Sequence, residues 1–139
     1  MDSYKHIEHR IGGYLAGRYR RAVEVGIGKN TDVAMMLADA GVLKGCTDIK
    51  NADLSPGLNY ARDDIFVPDL SRYEGADLIY AIRPAIEMVP PLIGLAQKIG
   101  CDMIVYHLGF EVYGDGGEIL DCGVLLHRYW RRSEPVKER

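Results

Sequence analysis

Residues 23–41 read VEVGIGKNTDVAMMLADAG, and this stretch decides the fold that we expect. The run at 22–25 is short and rich in valine, which is typical of a buried strand. Gly26 permits a tight turn off that strand, and Gly28 lets a ligand approach the backbone closely. The stretch therefore begins with a predicted strand and a glycine-rich turn that can face a ligand.

A helix is predicted directly after this turn. Its apolar residues recur three and four positions apart, which places them on one helix face: Val33, Met36, Leu37 and Ala40. Thr31 is a residue type that caps helix N-termini, and Gly41 suits the left-handed position that ends a helix. The first N–H groups of the helix, with their partial positive charge, would therefore lie beside the glycine turn.

The rest of the chain alternates between helical and strand patterns. The predicted strands are 43–47, 58–61, 76–82, 102–108 and 123–129, and the predicted helices are an N-terminal helix within 1–20 and a helix over 90–99. The segment 48–60 has room for only a loop or a single helical turn before the third strand. The last strand is expected to pair antiparallel with residues near Glu111 or Ile119.

This order of elements predicts an α/β fold. We expect a compact, Rossmann-like three-layer sandwich with a mostly parallel sheet and a C-terminal antiparallel strand. Ligands bind such sheets outside the carboxyl ends of the strands, at the point where the strand order reverses. A length of 139 residues suits a single domain over 1–139, with a charged tail at 131–139 that is expected to fray.

The composition favours a cytoplasmic protein without a metal site. The N-terminal residues MDSYKHIEHR lack the apolar segment of a secretory signal. The most apolar stretch, 78–96, is interrupted by Arg83, Glu87 and three prolines, so no membrane span is expected. The cysteines stand far apart and form no CxxC zinc motif, which favours a reducing compartment: Cys46, Cys101 and Cys122.

A nucleic-acid partner is not expected. Arginines and aromatic residues near the two ends of the chain are of the types that line RNA-binding patches: Arg18, Arg20, Arg21, Arg128, Arg131 and Arg132, with Tyr19, Tyr129 and Trp130. The formal net charge of −3 is the opposite of the basic balance that such domains usually carry. We therefore interpret these residues as two solvated chain ends.

An acidic residue stands where a nucleoside ligand would need one. Asp48 ends the second predicted strand, about 20 residues after the glycine turn, and a carboxylate there can accept hydrogen bonds from both ribose hydroxyls. Strand, glycine turn, helix, strand and terminal acid in this order predict an adenosine-containing cofactor. The alternative is an empty turn that serves tight packing alone.

The run EVGIGKN resembles the first motif of class I S-adenosylmethionine-dependent methyltransferases, which is an acid, one residue and then G-x-G-x-G. Glu24, Gly26 and Gly28 match that motif, whereas Asn30 stands at the position of its last glycine. The resemblance covers about residues 20–108 and implies the strand order 3-2-1-4-5. The chain as a whole, with VEVGIGKN, LIYAIRPA and its short length, resembles an uncharacterised archaeal protein family of methyltransferase-like fold.

The same resemblance implies roles for two acids. Asp48 matches the ribose-binding acid of the methyltransferases. Asp64, in the run DDIF, resembles the residue after the third strand that contacts the adenine amino group, and Asp63 is its rival. The implied cofactor is S-adenosylmethionine, and the implied contact residues are Glu24, Gly26, Gly28, Asn30, Asp48 and Asp64.

An NAD(P) dinucleotide is the competing cofactor. Its motif, G-x-G-x-x-G, would use Gly26 and Gly28 and would have Thr31 in place of the last glycine. Glu24 would then lie near an anionic pyrophosphate, and two such charges about 5 Å apart repel by roughly 3 kcal/mol at an effective dielectric constant of about 20. A Glu24 carboxylate that faces the pocket would instead suit the cationic methionine end of S-adenosylmethionine.

Two residues at the ends of the fourth and fifth predicted strands are candidates for catalysis. The fourth strand ends in Arg83-Pro84, where many DNA, RNA and protein methyltransferases carry Asn or Asp before proline, so methylation of an amino group is not supported. Arg83 can clamp a phosphate or carboxylate with two hydrogen bonds, or it can pair with Glu87 or Asp48. His107 can act as a base near neutral pH, although a histidine at a strand end is more often structural.

Three functions remain open. The first is an S-adenosylmethionine-binding methyltransferase-like domain, and the second is an NAD-binding regulatory module. The third is a non-catalytic interaction scaffold, because the short segment after Asp48 leaves one sheet face thinly covered, and exposed apolar surface there favours a homodimer or a partner subunit. A chain of 139 residues has little room for a substrate-recognition insert, which favours a small substrate or a partner subunit.

Overall fold

The computed structural model describes residues 3–133, which contain α-helices and strands in alternation. The helices are α1 (Ser3–Ala16), α2 (Asp32–Asp39) and α3 (Val89–Ile99). The strands are β1 (Ala22–Val25), β2 (Leu43–Asp48), β3 (Tyr60–Arg62), β4 (Leu78–Ile82), β5 (Asp102–Tyr106), β6 (Glu118–Asp121) and β7 (Leu125–Trp130). None of the helices in this part of the chain is long and apolar enough to cross a membrane.

The strands form one sheet in the order β3-β2-β1-β4-β5-β7-β6. The first five strands are parallel to one another, and β7 runs antiparallel to both β5 and β6. The chain moves outward from β1 to β3 on one side and from β4 to β5 on the other, so the strand order reverses between β1 and β4. The predicted α/β Rossmann-like fold and the strand order 3-2-1-4-5 are therefore confirmed.

Helices cover both faces of this sheet. On one face, Val23, Val25 and Ile79 pack with Leu92 and Leu95 of α3. On the other face, alternate residues of the same strands pack against α1 and α2: Ala22, Leu78 and Tyr80 against Ile11, Leu15, Val33 and Leu37. Because the central strands are enclosed on both sides, every residue of β1 is buried, as is usual for parallel strands.

A glycine allows α1 and α2 to pack closely. Gly12 lies inside α1 despite the usual cost of glycine in a helix. A Cβ atom at this position would lie 2.6 Å from Sδ of Met36 on α2, so a larger residue fits only if that side chain moves. The close approach also brings Glu8, one turn before Gly12, beside Asn30 at the start of α2.

The segment between β2 and β3 contains a single 3-10 turn at Pro56–Leu58, in agreement with its short length. Leu58 is buried at the end of this turn, and Asn59 adopts a left-handed conformation with a φ angle of 50°. The amide of Asn59 donates a hydrogen bond to the backbone carbonyl of Lys44 at 2.8 Å. The third strand therefore begins at Tyr60 and not at residue 58, because Leu58 belongs to the turn.

The C-terminal strands form a hairpin on the β5 side of the sheet. Ile119 pairs with His127, so the predicted partner region near Ile119 is confirmed, whereas Glu111 lies in the loop before the hairpin. Beyond β7, the backbone N–H of Arg132 donates to the Asp102 carboxylate at 2.8 Å, which holds the start of the predicted tail. Residues 134–139 of that tail lie outside the described residues.

Candidate functional site

A cleft of about 240 Å³ lies at the carboxyl ends of β1, β2 and β4, and we call it the strand-end cleft. Its lining residues are Val25, Gly26, Asp48, Ile49, Asp63, Asp64, Ile65, Phe66, Arg83, Pro84, Ala85 and Met88. The strand order reverses at this place, and open α/β sheets bind their ligands at such reversals. The fold therefore brings the predicted glycine turn and two of the predicted acids together around one cleft.

The glycine turn has the backbone conformation that its sequence predicts. Gly26 and Gly28 have φ angles of 73° and 58°, a region in which other residues are disfavoured. The N–H of Gly26 donates to the Thr47 carbonyl at 2.8 Å, and the N–H of Gly28 donates to the Asp48 carboxylate at 2.8 Å. The turn is thereby fixed to the end of β2.

Asp48 is half-buried at the end of β2 and lines the strand-end cleft. One of its carboxylate oxygens accepts the N–H of Gly28, and the other accepts the N–H of Lys50 at a long 3.4 Å. A carboxylate offers about four acceptor positions, so these bonds leave capacity for the hydroxyls of a ligand. Asp48 therefore borders the strand-end cleft with acceptor positions that the described residues do not fill.

The two neighbouring acids after β3 differ in what they bind. Asp63 accepts the hydroxyl of the buried Tyr73 at 2.5 Å and the N–H of Asp69 at 3.1 Å, so both of its oxygens are engaged within the protein. Asp64 accepts the N–H of Phe66 at 2.9 Å through one oxygen, and its other oxygen has no hydrogen bond among the described residues. Asp64 is therefore the better placed of the two to contact a ligand.

Apolar side chains stand beside the acids of the cleft. Ile49 directly follows Asp48 and is 54% exposed, and Phe66 follows Asp64 by two positions and is 59% exposed. Small-molecule sites are lined mainly by apolar and aromatic side chains with a few polar groups among them. We did not predict these residues, although an apolar residue close behind each acid was the available sequence signal.

Glu24 does not line the strand-end cleft. It is 1% exposed and faces the side of the sheet that α1 and α2 cover, where the hydroxyl of Tyr80 donates to it at 2.8 Å. The pKa of Glu24 is raised to about 8, mainly by burial. The hydrogen bond from Tyr80 lowers this pKa, and the charge of Glu8 raises it further. Glu24 is therefore protonated at neutral pH and lies away from the expected direct contact with a cationic ligand.

The raised pKa of Glu24 predicts a pH dependence of stability. A carboxyl that binds its proton more tightly in the folded state than in the unfolded state stabilises the protein fully below the unfolded pKa, near 4.5, and this contribution is lost as the pH rises to about 8. Within that window the free energy of unfolding should fall by up to about 1.4 kcal/mol per pH unit. Glu24→Gln keeps the acceptor for Tyr80 and should flatten this dependence.

Urea unfolding of the wild type and Glu24→Gln at pH 5, 6, 7 and 8 measures the effect. As the pH rises, the free energy of unfolding of Glu24→Gln should increase relative to that of the wild type. Parallel profiles across these four pH values would contradict the buried, protonated state of Glu24.

Arg83 follows β4 and forms an ion pair with α1. Its guanidinium donates to the two carboxylate oxygens of Glu8 at 2.7 and 3.4 Å, and Glu8 is 1% exposed. From the sequence, Glu87 and Asp48 were the possible partners of Arg83, and neither of them takes part in this ion pair. Glu8 was not predicted as a site residue, although its spacing from Ile11 places an acid on the apolar face of α1.

Asn30 connects the glycine turn to the same carboxylate. Its amide nitrogen donates to Glu8 at 2.7 Å, and its amide oxygen accepts the N–H of Asp32, two residues further on, at 3.1 Å, as in an Asx-turn. Thr31, which we expected to cap α2, makes no capping bond, and its hydroxyl contacts Sδ of Met35 at 3.5 Å. Asn30 therefore orders the turn and the helix start, and its amide is directed at α1.

His107 lies just beyond β5 and does not line the strand-end cleft. It is 4% exposed, and its Nε2 atom lies 2.6 Å from the hydroxyl of Tyr129. Burial is the largest cause that lowers the pKa of His107, the charge of His127 lowers it further, and the charge of Glu111 acts in the opposite direction. Within the described side chains, no group of three or more His, Cys, Asp or Glu residues is arranged to hold a metal ion.

The fold and the cleft together define a Rossmann-like α/β protein with the strand order of the methyltransferase-like class. Residues 12–114 match the model of the uncharacterised protein family UPF0146, and the chain belongs to that family. The predicted membership in an uncharacterised archaeal family is therefore confirmed.

Two relatives from archaea cover most of the chain. The UPF0146 protein of Archaeoglobus fulgidus is 38% identical over 107 residues, which are 76% of this chain and 79% of the relative. The UPF0146 protein of Pyrococcus horikoshii is 38% identical over 131 residues, which are 86% of this chain and 96% of the relative.

Among solved structures, two crystal structures of the antibiotic-resistance methyltransferase Kmr are similar to this chain. They superpose with TM-scores of 0.46 and 0.48 at 14% and 15% identity. Each covers 87% of this chain, and 92% and 91% of the methyltransferase chains are covered. Identities this low transfer no residue roles.

Proposed function

We propose that the strand-end cleft binds S-adenosylmethionine and that the protein is an S-adenosylmethionine-binding, methyltransferase-like domain. Asp48 and Asp64 carry this proposal, because both acids border one cleft beside the glycine turn. In this arrangement Asp48 accepts the two ribose hydroxyls, and Asp64 accepts the adenine amino group. Ile49 and Phe66 cover the faces of the adenine ring.

The charges around the cleft favour this cofactor over a dinucleotide. Asp48, Asp63 and Asp64 line the cleft, and the lining cation Arg83 is paired with Glu8. S-adenosylmethionine carries a sulfonium and an ammonium against one carboxylate, whereas NAD(P) brings an anionic pyrophosphate. A single pair of like charges about 5 Å apart costs roughly 3 kcal/mol at an effective dielectric constant of about 20, so an acidic cleft disfavours the dinucleotide.

The start of α2 also disfavours a pyrophosphate. Dinucleotide sites place the phosphates at the N-terminus of the first helix. Here the first residue of α2 is Asp32, and the N–H of Gly28 in the preceding turn is already bonded to Asp48. A pyrophosphate would therefore meet a carboxylate and would lose one of the N–H groups that it needs.

Calorimetric titration tests the proposal. S-adenosylmethionine and its demethylated product, S-adenosylhomocysteine, should each bind with a dissociation constant in the micromolar range, and NADH should give no change in its fluorescence. Native mass spectrometry of the freshly purified protein should show either adenosyl compound if it co-purifies. If NADH binds and neither adenosyl compound does, the protein is an NAD-binding module and the proposal is wrong. If none of the three compounds gives heat, the interaction scaffold is the function that remains.

A further inference from the structure

One face of the sheet loses its helical cover beyond α3. The connections that lead from β1 to β2 and from β4 to β5 contain α2 and α3, whereas residues 107–117, between β5 and β6, contain no helix. Sheets in α/β folds bury their faces under helices. The part of the α3 face that β6 and the start of β7 form therefore lacks a helix of its own.

Strand alternation shows which side chains face this uncovered part. Tyr129 of β7 packs against the cluster that contains α3, and Leu125 lies on the same side of β7, four positions earlier. Ile119 of β6 pairs with His127 of β7, and directly paired residues share a face. Asp121 pairs with Leu125 in the same way. The exposed side chains of Ile119, Asp121 and Leu125 therefore lie together on the α3 face.

The loop after β5 adds further apolar side chains to this area. Phe110, which is fully exposed, and Val112 line a cavity of about 400 Å³ together with Leu125. Tyr113 packs edge to face against Tyr129. We use the name hairpin surface for five exposed side chains: Phe110, Val112, Tyr113, Ile119 and Leu125.

The segment 107–127, which contains the hairpin surface, is unusually rich in exposed apolar residues. It holds half of the large apolar side chains that are exposed within residues 3–133. Apolar side chains scattered singly over a surface need no explanation, but a group of them marks an interaction site. The hairpin surface is therefore a candidate for contact with another molecule.

The same segment is acidic. It contains no lysine or arginine and four acids: Glu111, Asp115, Glu118 and Asp121. Glu118 is paired with Arg128, whereas the other three acids are exposed and make no ion pair with any described residue. The hairpin surface therefore combines apolar side chains with three unpaired negative charges.

This charge decides which partner fits. Nucleic acids and anionic membrane surfaces are repelled by acids. A second copy in a two-fold dimer would place the same patch against itself, so Glu111, Asp115 and Asp121 would meet the same acids of the other copy. A partner whose basic residues border an apolar strip has the complementary charge.

We propose that the hairpin surface binds an amphipathic helix of a partner protein, in which lysine or arginine borders an apolar strip. This helix takes the place beside α3 that the chain itself leaves without a helix. One of its apolar side chains enters the cavity between Phe110, Val112 and Leu125, as anchors do when a helix lies in a groove. Its basic residues pair with the three acids at the border.

Three synthetic peptides of about 18 residues, or five helical turns, test the chemistry of this partner. The first has leucines at helical spacing and lysines elsewhere, and the second has the same leucines with glutamates. The third has the composition of the first in an order that forms no apolar strip. In fluorescence anisotropy without any cofactor, the first should bind at least about tenfold more tightly than either of the others, because only it offers both the strip and the complementary charges. Its amide shifts in NMR spectra should lie within 107–127.

Variants at exposed positions, which leave the fold intact, assign this binding to named side chains. Val112→Ser should weaken the binding of the leucine–lysine peptide about tenfold, whereas Val67→Ser, at an exposed valine outside the hairpin surface, should leave it unchanged. Glu111→Lys should weaken the leucine–lysine peptide and strengthen the leucine–glutamate peptide. Glu74→Lys makes the same change of charge at an exposed position elsewhere and should alter neither.

Several results would overturn the proposal. These are equal binding of the leucine–lysine and leucine–glutamate peptides, equal losses in Val112→Ser and Val67→Ser, and NMR shifts confined to another surface. A dimer in sedimentation that Phe110→Ser dissociates would assign the surface to a second copy instead. Since no adenosyl compound is present in these titrations, failure of S-adenosylmethionine to bind leaves the result unaffected.

Discussion

Asp48→Ala is expected to weaken the binding of S-adenosylmethionine at least about 100-fold. A carboxylate that accepts two ribose hydroxyls contributes two charge-assisted hydrogen bonds, each worth about 1.5–3 kcal/mol. Their loss corresponds to a factor of about 100 or more, since about 1.4 kcal/mol is tenfold in affinity. Calorimetric titration of the variant with S-adenosylmethionine and S-adenosylhomocysteine measures this loss directly.

Two control variants separate a lost contact from lost charge or lost structure. Asp53→Ala removes the same charge from an exposed position between β2 and β3 and should leave the affinity unchanged. Asp48→Asn keeps an acceptor for the N–H of Gly28 and should show a smaller loss of about tenfold, because the charge is gone and one oxygen remains. Wild-type affinity in Asp48→Ala, with the melting profile unchanged, would remove Asp48 from the proposed site.

The features that could be predicted from the sequence are those that depend on neighbouring residues along the chain. The turn at Gly26 follows from a glycine at the end of a valine-rich run, and the helix after it follows from apolar spacing. Asp48 reaches the same cleft because the carboxyl ends of adjacent parallel strands meet at one edge of the sheet. The alternation of such elements is enough to predict an α/β fold with a mostly parallel sheet, whereas the strand order 3-2-1-4-5 was implied by the resemblance to the methyltransferases.

Contacts that depend on the packing of distant segments could not be predicted. β1 is buried on both faces, so its pattern does not tell which face Glu24 occupies, and it faces Tyr80 and not the cleft. Glu8 lies 75 positions from Arg83 in the chain, and the packing of α1 against the sheet brings the two together. The Glu8 carboxylate also accepts the amide of Asn30, so this side chain is directed at α1 and not into the glycine turn.

The C-terminal hairpin shows a second reason why part of the fold could not be predicted from the sequence. β6 is a four-residue strand at the sheet edge, and most of its residues are exposed, so it has no clear apolar alternation. The turn before it is set by Asp115, whose carboxylate accepts the N–H of Gly117 at 2.9 Å. Turn residues predict where the chain reverses, but they do not predict that β7 lies between β5 and β6 in the sheet.

Arg83→Met is expected to lower the free energy of unfolding by about 3–5 kcal/mol, the usual cost of leaving one member of a buried ion pair without its partner. Glu8 is 1% exposed, and without Arg83 its carboxylate would retain the neutral amide of Asn30 as its hydrogen-bond donor. The charge of Glu8 also acts on the buried Glu24 nearby. Arg83 has a φ angle of 52°, and methionine meets the same backbone cost there, so the comparison reports the lost pairing. Urea unfolding followed by circular dichroism at pH 7 measures the change.

A double-mutant cycle and a surface control decide whether this loss comes from the unpaired charge. Glu8→Leu combined with Arg83→Met removes both charges, so the double variant should be more stable than Arg83→Met alone. Arg72→Met breaks an exposed ion pair with Asp69, 3.7 Å long, and should change the free energy of unfolding by less than about 0.5 kcal/mol. Equal effects of Arg83→Met and Arg72→Met would mean that the pair with Glu8 does not hold α1 on the sheet.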